Sequence, residues 1–277
     1  MTVRQPTSEQ RFAARESPPG LALMRQRWAG LLFLHWPVDP AGIAQRLPPG
    51  LHVDTFEGSA WLGVVPFFMH RVRPVGMPPV PWLSWFMELN VRTYVHDADG
   101  NPGVWFFSLE CNQPLAVVIA RRFFHLPYQH AAMRSTKCGG HMQYRSRRET
   151  AGSLDADFVY QIPTSTQPAV PGSLEWFLVE RYLLFSANPA GELFCGRVRH
   201  HPYQLTPARC TRWSTEPLRL DGFPEPTGPP ASMLAAAPVE VKIFPLRRCM
   251  ASPPQLACVG RETRSKGGEP EALVAGA

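Results

Sequence analysis

Through the middle of the chain, apolar and polar positions alternate with the period of two that marks strands with unlike faces. Trp61 to Val72 and Trp85 to Val95 are long runs of branched and aromatic residues, and Val104 to Leu109 is a shorter one. His96-Asp97-Ala98-Asp99-Gly100-Asn101 concentrates turn formers between the last two, so the spacing predicts a hairpin. One face of Trp85 to Val95 carries Trp85, Met87, Leu89, Val91 and Val95. The other carries Glu88, Asn90 and Arg92, bracketed by Phe86 and Tyr94. Such a face is either turned to solvent or is a polar patch inside a half-closed barrel, where aromatic neighbours find a core.

Helical patterns are few. Asp39-Pro40 is an N-cap and first-turn pair, Ala41 to Leu47 completes a short helix stopped by Pro48-Pro49-Gly50, and the segments on both sides read as strands. Gln113-Pro114 opens a helix to about His125, with Leu115, Val118, Ile119 and Phe123 as its core face. Ser173 caps a second helix through Phe185, on which Leu174, Phe177, Leu178 and Phe185 share a stripe with Arg181 in its middle. Strands are predicted at His141 to Arg147, Asp155 to Ile162, Leu193 to Arg199, Tyr203 to Trp213 and Val239 to Pro245. Residues 1–20 and 251–277 lack periodicity and read as disordered segments flanking one domain over 21–250. The pattern as a whole predicts an α+β protein built on a mostly antiparallel barrel with a few peripheral helices.

Composition narrows the function. Hydrophobic residues make up 44% of the chain and aromatics 11%, enough for a large core without staples. No apolar window is long enough to span a membrane and residues 1–20 do not form a secretory leader, so a cytoplasmic protein with no membrane partner is expected. Six widely separated cysteines without a C-x-x-C pair read as reduced thiols. The net charge of +6 is scattered, with no basic run of five, which argues against a nucleic-acid partner. Of 28 cationic residues only Lys137, Lys242 and Lys266 are lysines, so amine chemistry has three places to look. Lys137 lies in a turn and Lys242 on an alternating strand.

Dinucleotide, phosphate-loop, serine-hydrolase and zinc-protease motifs are absent, and neither a cofactor nor a metal site is expected. The adjacent His200 and His201 cannot both face one side of a strand, which disfavours chelation by the pair, but one of them can line a pocket. Arg181, if buried, must be paired with a carboxylate such as Glu88 or must bind an anion.

His35-Trp36-Pro37-Val38-Asp39-Pro40, Leu47-Pro48-Pro49-Gly50-Leu51, Asp54-Thr55-Phe56, Glu88-Leu89-Asn90-Val91-Arg92, Leu126-Pro127-Tyr128 and Glu180-Arg181-Tyr182, in this order, resemble the YqjF-like family of uncharacterised proteins. That family is similar to a branch of the acetoacetate-decarboxylase-like superfamily, which implies a cone-shaped antiparallel barrel around a central pocket. The decarboxylases carry a G-R-x-x-x-x-F-P-K-K-x-x-A segment whose first lysine forms a Schiff base. The comparable residues here run from Ala120-Arg121-Arg122 through Leu126-Pro127-Tyr128-Gln129, with both lysines replaced. A phenol cannot form an imine, so decarboxylation by that route is not expected.

Glu88 resembles the superfamily's pocket glutamate. The arginine expected near the first strand has no counterpart around His35-Trp36-Pro37, leaving Arg92 or Arg181 to supply positive charge from another wall. The implied function is a pocket for a small, anionic organic acid or keto compound. Tyr128, Glu88 and His201 are the candidates for proton transfer, and Arg92, Arg121 and Arg181 for ligand binding. The alternative is a non-catalytic ligand-binding protein or a homo-oligomer-forming scaffold.

Overall fold

The computed structural model describes residues 5–249. The expected C-terminal tail lies outside the described residues. Helix α1 (Ser8–Ala13) precedes strands β1 (Met24–Ala29) and β2 (Leu31–Val38), followed by helix α2 (Pro40–Ala44), β3 (Leu51–Val53) and the long β4 (Ala60–Pro74). A 3-10 turn at Pro81–Leu83 leads into the hairpin β5 (Phe86–Asp97) and β6 (Pro102–Cys111), then α3 (Pro114–Phe124). Strands β7 (Tyr128–Cys138), β8 (His141–Arg148) and β9 (Ala156–Gln161) form a meander. After β10 (Gln167–Pro168) come α4 (Leu174–Val179), β11 (Leu183–Ala187), β12 (Leu193–Arg199), β13 (Gln204–Pro207), β14 (Cys210–Arg212), α5 (Glu216–Leu220), β15 (Ser232–Ala236), β16 (Val239–Ile243) and β17 (Arg247–Arg248).

The pairings close a ring. Strand β4 pairs with β5, β5 with β6, β6 with β11, β11 with β12, β12 with β16, β16 with β1, and β1 with β4 again. All are antiparallel except the seam between β6 and β11, where Leu184 faces Val104 and Phe185 faces Trp105. Gly103 makes that seam feasible. A Cβ there would meet the Leu183 carbonyl at 2.9 Å and the Phe185 ring at 2.7 Å. Gly30 plays a similar part where β1 bends into β2, because both strands pair with β4 and the turn between them needs φ +58°.

The meander β7 to β9 lies over the outside of the ring. Leu62 and Val64 of β4 and Leu89 and Val91 of β5 face it, packing in one cluster with Met133, Tyr144, Phe158 and Tyr160. Alternation puts Val65, Phe67, Phe86 and Tyr94 in a separate cluster on the other side of the same strands. The polar face of Glu88, Asn90 and Arg92 is thereby turned into the ring.

Three expectations are corrected by the fold. Residues 8–13 form a capped helix instead of a disordered segment, with a reciprocal Thr7–Gln10 capping box. Local sequence does not reveal this, because the helix is held by distant carboxylates: Arg11 on Asp54 and Arg15 on Glu180. The helix from Ser173 ends at Val179, and Leu183 to Ala187 is a strand that joins the ring through hydrogen bonds on both sides. On α3 the large residues Leu115, Val118, Ile119 and Phe123 are exposed, while Val117 and Ala120 are buried. The helix turns its small residues inward and so approaches the ring closely.

Arg181 is buried beside that helix end. Its guanidinium donates to Asp54 at 2.5 Å and to the Phe177 carbonyl at 2.8 Å, and Asp54 also receives both Nη atoms of Arg11. Burial would raise the Asp54 carboxyl, but the two guanidinium groups hold it below its usual value. Replacing Asp54 with Asn should leave Arg181 buried without a counter-charge and cost about 3–5 kcal/mol. Urea denaturation of the variant at neutral pH checks this, and an unchanged midpoint would contradict it.

Candidate functional site

A cavity of about 380 Å³ occupies the interior of the ring, and every ring strand contributes to its wall. Most of that wall is hydrocarbon: Leu31, Phe33, Val65, Phe67, Met69, Phe106, Leu109, Leu184 and Val198. Glu88, Asn90 and Arg92 of β5 supply polar groups, joined by Gln26 of β1, Arg73 of β4, Tyr128 at the start of β7 and Tyr203.

Glu88 and Tyr128 form the most distinctive pair. The Tyr128 hydroxyl donates to Glu88 Oε2 at 2.6 Å, with both side chains buried. Burial pushes the Glu88 carboxyl up to about 7, against the hydrogen bonds of Tyr128 and Asn90, which favour the anion. Tyr128 is pushed well above the usual phenol value by burial and by the neighbouring carboxylate, so it remains a neutral donor. Cys111 pairs with Glu88 across the hairpin, and burial pushes its thiol up to about 12, which keeps it protonated and unreactive. Tyr144, from the outer meander, donates to the Glu88 carbonyl at 2.8 Å and fixes the backbone beneath the carboxyl.

Two cations line the cavity, Arg73 beside Pro74 and Arg92 on β5; Arg92 lies on the same strand face as Glu88. Its Nη2 donates weakly to the Tyr94 hydroxyl at 3.3 Å and to the Leu178 carbonyl at 3.4 Å, while its Nε is buried with no partner. Its guanidinium lies over the Phe33 ring, 5.3 Å from the centroid. None of the ion pairs among the described residues includes it. Tyr94 also contacts His35, whose Nε2 lies 2.6 Å from the Tyr94 oxygen. Burial and the charge of Arg92 both hold His35 well below its usual value, so it is neutral. The cationic role at this end falls to Arg92.

The other candidates lie elsewhere. Arg121 is exposed on α3 and clamps the backbone, donating to the Tyr128 carbonyl at 2.6 Å and to Gln129 Oε1 at 3.1 Å. It positions Tyr128 without lining the cavity. Arg181 is committed to Asp54, not Glu88. His201 is exposed, and its neighbour His200 is the buried ring, packed between Tyr182 and Tyr203 with centroids 4.6 Å from each. Lys137 and Lys242 are exposed and outside the cavity, while Lys266 lies outside the described residues.

Sequence reasoning missed Asp54 as the anchor of two arginines. Only its place in the Asp54-Thr55-Phe56 motif marked it. It also missed a second buried polar cluster between ring and meander, where Arg148 bridges Glu110 and Asp221 and donates to Ser108. That cluster satisfies itself and lies away from the cavity.

A family described as uncharacterized conserved proteins, DUF2071, matches residues 25–240. The uncharacterized protein YqjF of Bacillus subtilis (strain 168) is 36% identical over 231 residues, covering 83% of this chain and 94% of its own. Among solved structures, acetoacetate decarboxylase from Legionella pneumophila is 12% identical with a TM-score of 0.54, over 90% of this chain and 98% of its own. An acetoacetate-decarboxylase-like enzyme from Sphingomonas wittichii RW1 is 13% identical with a TM-score of 0.55, over 84% and 95%. The enduracididine biosynthesis enzyme MppR complexed with pyruvate is 14% identical with a TM-score of 0.53, over 84% and 93%. The fold is thus acetoacetate-decarboxylase-like. No helix among the described residues is long and apolar enough to cross a membrane.

The raised Glu88 carboxyl sets a pH signature. Because the folded protein favours the protonated acid, this residue's contribution to stability is complete below about 4.5 and is lost as pH rises through about 7. Glu88→Gln should remove that loss, so that at pH 8 the variant is more stable than the wild type by up to roughly 3 kcal/mol. Tyr128→Phe should move the Glu88 titration above 7, since a hydrogen bond favouring the anion is gone. Denaturation across pH 4–9, with carboxyl ¹³C titration of Glu88, measures both effects.

Proposed function

The chain belongs to the DUF2071 family of uncharacterized conserved proteins, and from that premise we propose that it binds a small anionic organic acid or keto compound inside the ring and transfers a proton on it. The observation that carries this reading is that one cavity is lined by three groups: an unpaired guanidinium, a carboxyl that changes charge near neutrality, and a phenol bonded to that carboxyl. Arg92 receives the ligand's carboxylate on its cavity-lining guanidinium. Glu88, poised between its two charge states, takes or returns a proton at a carbon beside a carbonyl. Tyr128 donates to the oxygen on which negative charge develops.

The chemistry does not pass through an imine. Tyr128 stands where the decarboxylases have their Schiff-base lysine, and neither described lysine lines the cavity. Support from the same fold comes from MppR, whose structure holds pyruvate. Arg121 acts at one remove by clamping the Tyr128 backbone.

Incubation with oxo acids of graded chain length and carbonyl position in deuterium oxide tests the reading. The wild type is expected to exchange hydrogens beside the carbonyl, seen as loss of the corresponding proton resonance. Glu88→Gln should lower that rate by about 10²–10⁴-fold, the range for general acid–base groups. Tyr128→Phe should lower kcat with less effect on KM, and Arg92→Gln should raise KM. Ligand binding with no exchange above the solvent rate would overturn the proton-transfer step and leave a carrier.

A further inference from the structure

The cavity is larger and more apolar than a three- or four-carbon acid requires, and its charged groups are spread along its length. Glu88 and Arg92 share one face of β5, so their Cα atoms lie about 13 Å apart at roughly 3.3 Å per residue. The stretch between them is Asn90 facing hydrocarbon walls, chiefly Phe33, Val65 and Phe67. A short acid bound on Arg92 would leave most of this space unfilled.

The two ends also differ. Around Arg92, the residues Phe33, Tyr94, Tyr203 and His35 are all buried, so this end is closed. At the other end the wall is made by Pro74, Leu83 and Phe86 together with Ala116, Ile119 and Phe124 of α3. Several of these groups reach solvent, and neighbouring Trp82 and Phe123 are 71% and 67% exposed. The mouth is therefore hydrocarbon apart from Arg73, whose Nη1 donates to the Arg71 carbonyl at 2.7 Å, and Arg92 sits at the far end.

We infer that the ligand is an amphiphilic monocarboxylate, with its head on Arg92 and its hydrocarbon body running past Glu88 and Tyr128 toward the mouth beside α3. The volume of about 380 Å³ corresponds to roughly a dozen water-sized groups at ~30 Å³ each, or a chain of roughly eight to twelve carbons. This assignment rests on the reading of Arg92 as the carboxylate site. It also places the Glu88–Tyr128 pair beside the body of the ligand several bonds from its carboxylate, so the carbon at which a proton moves is an interior one.

Calorimetric titration of the intact wild-type protein with straight-chain carboxylates from propionate to hexadecanoate tests the inference, with decanol as the neutral counterpart of decanoate. Affinity should rise roughly fourfold per methylene between four and ten carbons and level off by about twelve, where the chain emerges from the mouth. Decanoate should bind at least tenfold more tightly than decanol, and Arg92→Gln should abolish that preference while keeping the dependence on length. Affinity independent of length, or pyruvate binding as tightly as decanoate, would overturn the inference. So would a decanoate preference that survives Arg92→Gln. Its failure is distinguishable from failure of the proton-transfer reading: absent hydrogen exchange with intact length dependence removes only the chemistry, whereas exchange on short acids without length dependence removes only the amphiphile.

Discussion

Everything inside this protein depends on closing a ring of strands that has one parallel seam. Six of the seven ring contacts are antiparallel, but β6 and β11 run in the same direction and share only a short stretch of register. A parallel pair is slightly weaker per residue and cannot be joined by a tight turn. The chain must therefore deliver β11 to this edge from elsewhere, with its direction fixed. Helix α4 does so, and the anchor at its end is Arg181, held by Asp54 and by the Phe177 carbonyl. Gly103 then lets the two backbones approach. Farther along the same edge, Leu109 to Cys111 of β6 pair with Tyr128 to His130 of β7.

Closure explains why β5 can carry both a hydrophobic face and a row of polar side chains. Its outer face, with Leu89 and Val91, is covered by the meander, so neither face of the strand meets bulk water. The inner carboxyl and guanidinium are consequently set in a medium where charge is expensive. Their environments diverge: Glu88 meets that cost by being drawn toward its neutral form, while Arg92 lies over the Phe33 ring and near the hydroxyl of Tyr94. The pocket is polar enough to orient a ligand and apolar enough to make each polar group count.

Much of this was legible in the order of residues. The alternation of Trp85 to Val95, the turn before Val104, and the caps at Asp39 and Gln113 all report on local geometry, and local geometry is what periodicity encodes. Glu88, Arg92 and Tyr128 were visible because two share a strand face and the third stands in a motif whose frame is retained. The misplaced residues share a cause. Arg121, Arg181 and His201 were singled out by charge, but whether a charged group meets a ligand, a backbone carbonyl or a distant carboxylate is decided by contacts across the chain, such as Arg181 with Asp54. The order of α1 and the strand at Leu183 escaped for the same reason, and on α3 volume outweighed hydrophobicity: the helix sits close because Ala116 and Ala120 are small.

The ring also fixes when its interior can come into being. Strand β1 pairs along its length with β16, and β6 with β11, so residues far apart in the chain must meet before the cavity has walls. The β5–β6 hairpin and the β7–β9 meander need only neighbours and can form early. During synthesis the polar row on β5 therefore stays wet until β16 has been made. Closing the ring thus buries Glu88 and completes the cavity wall together.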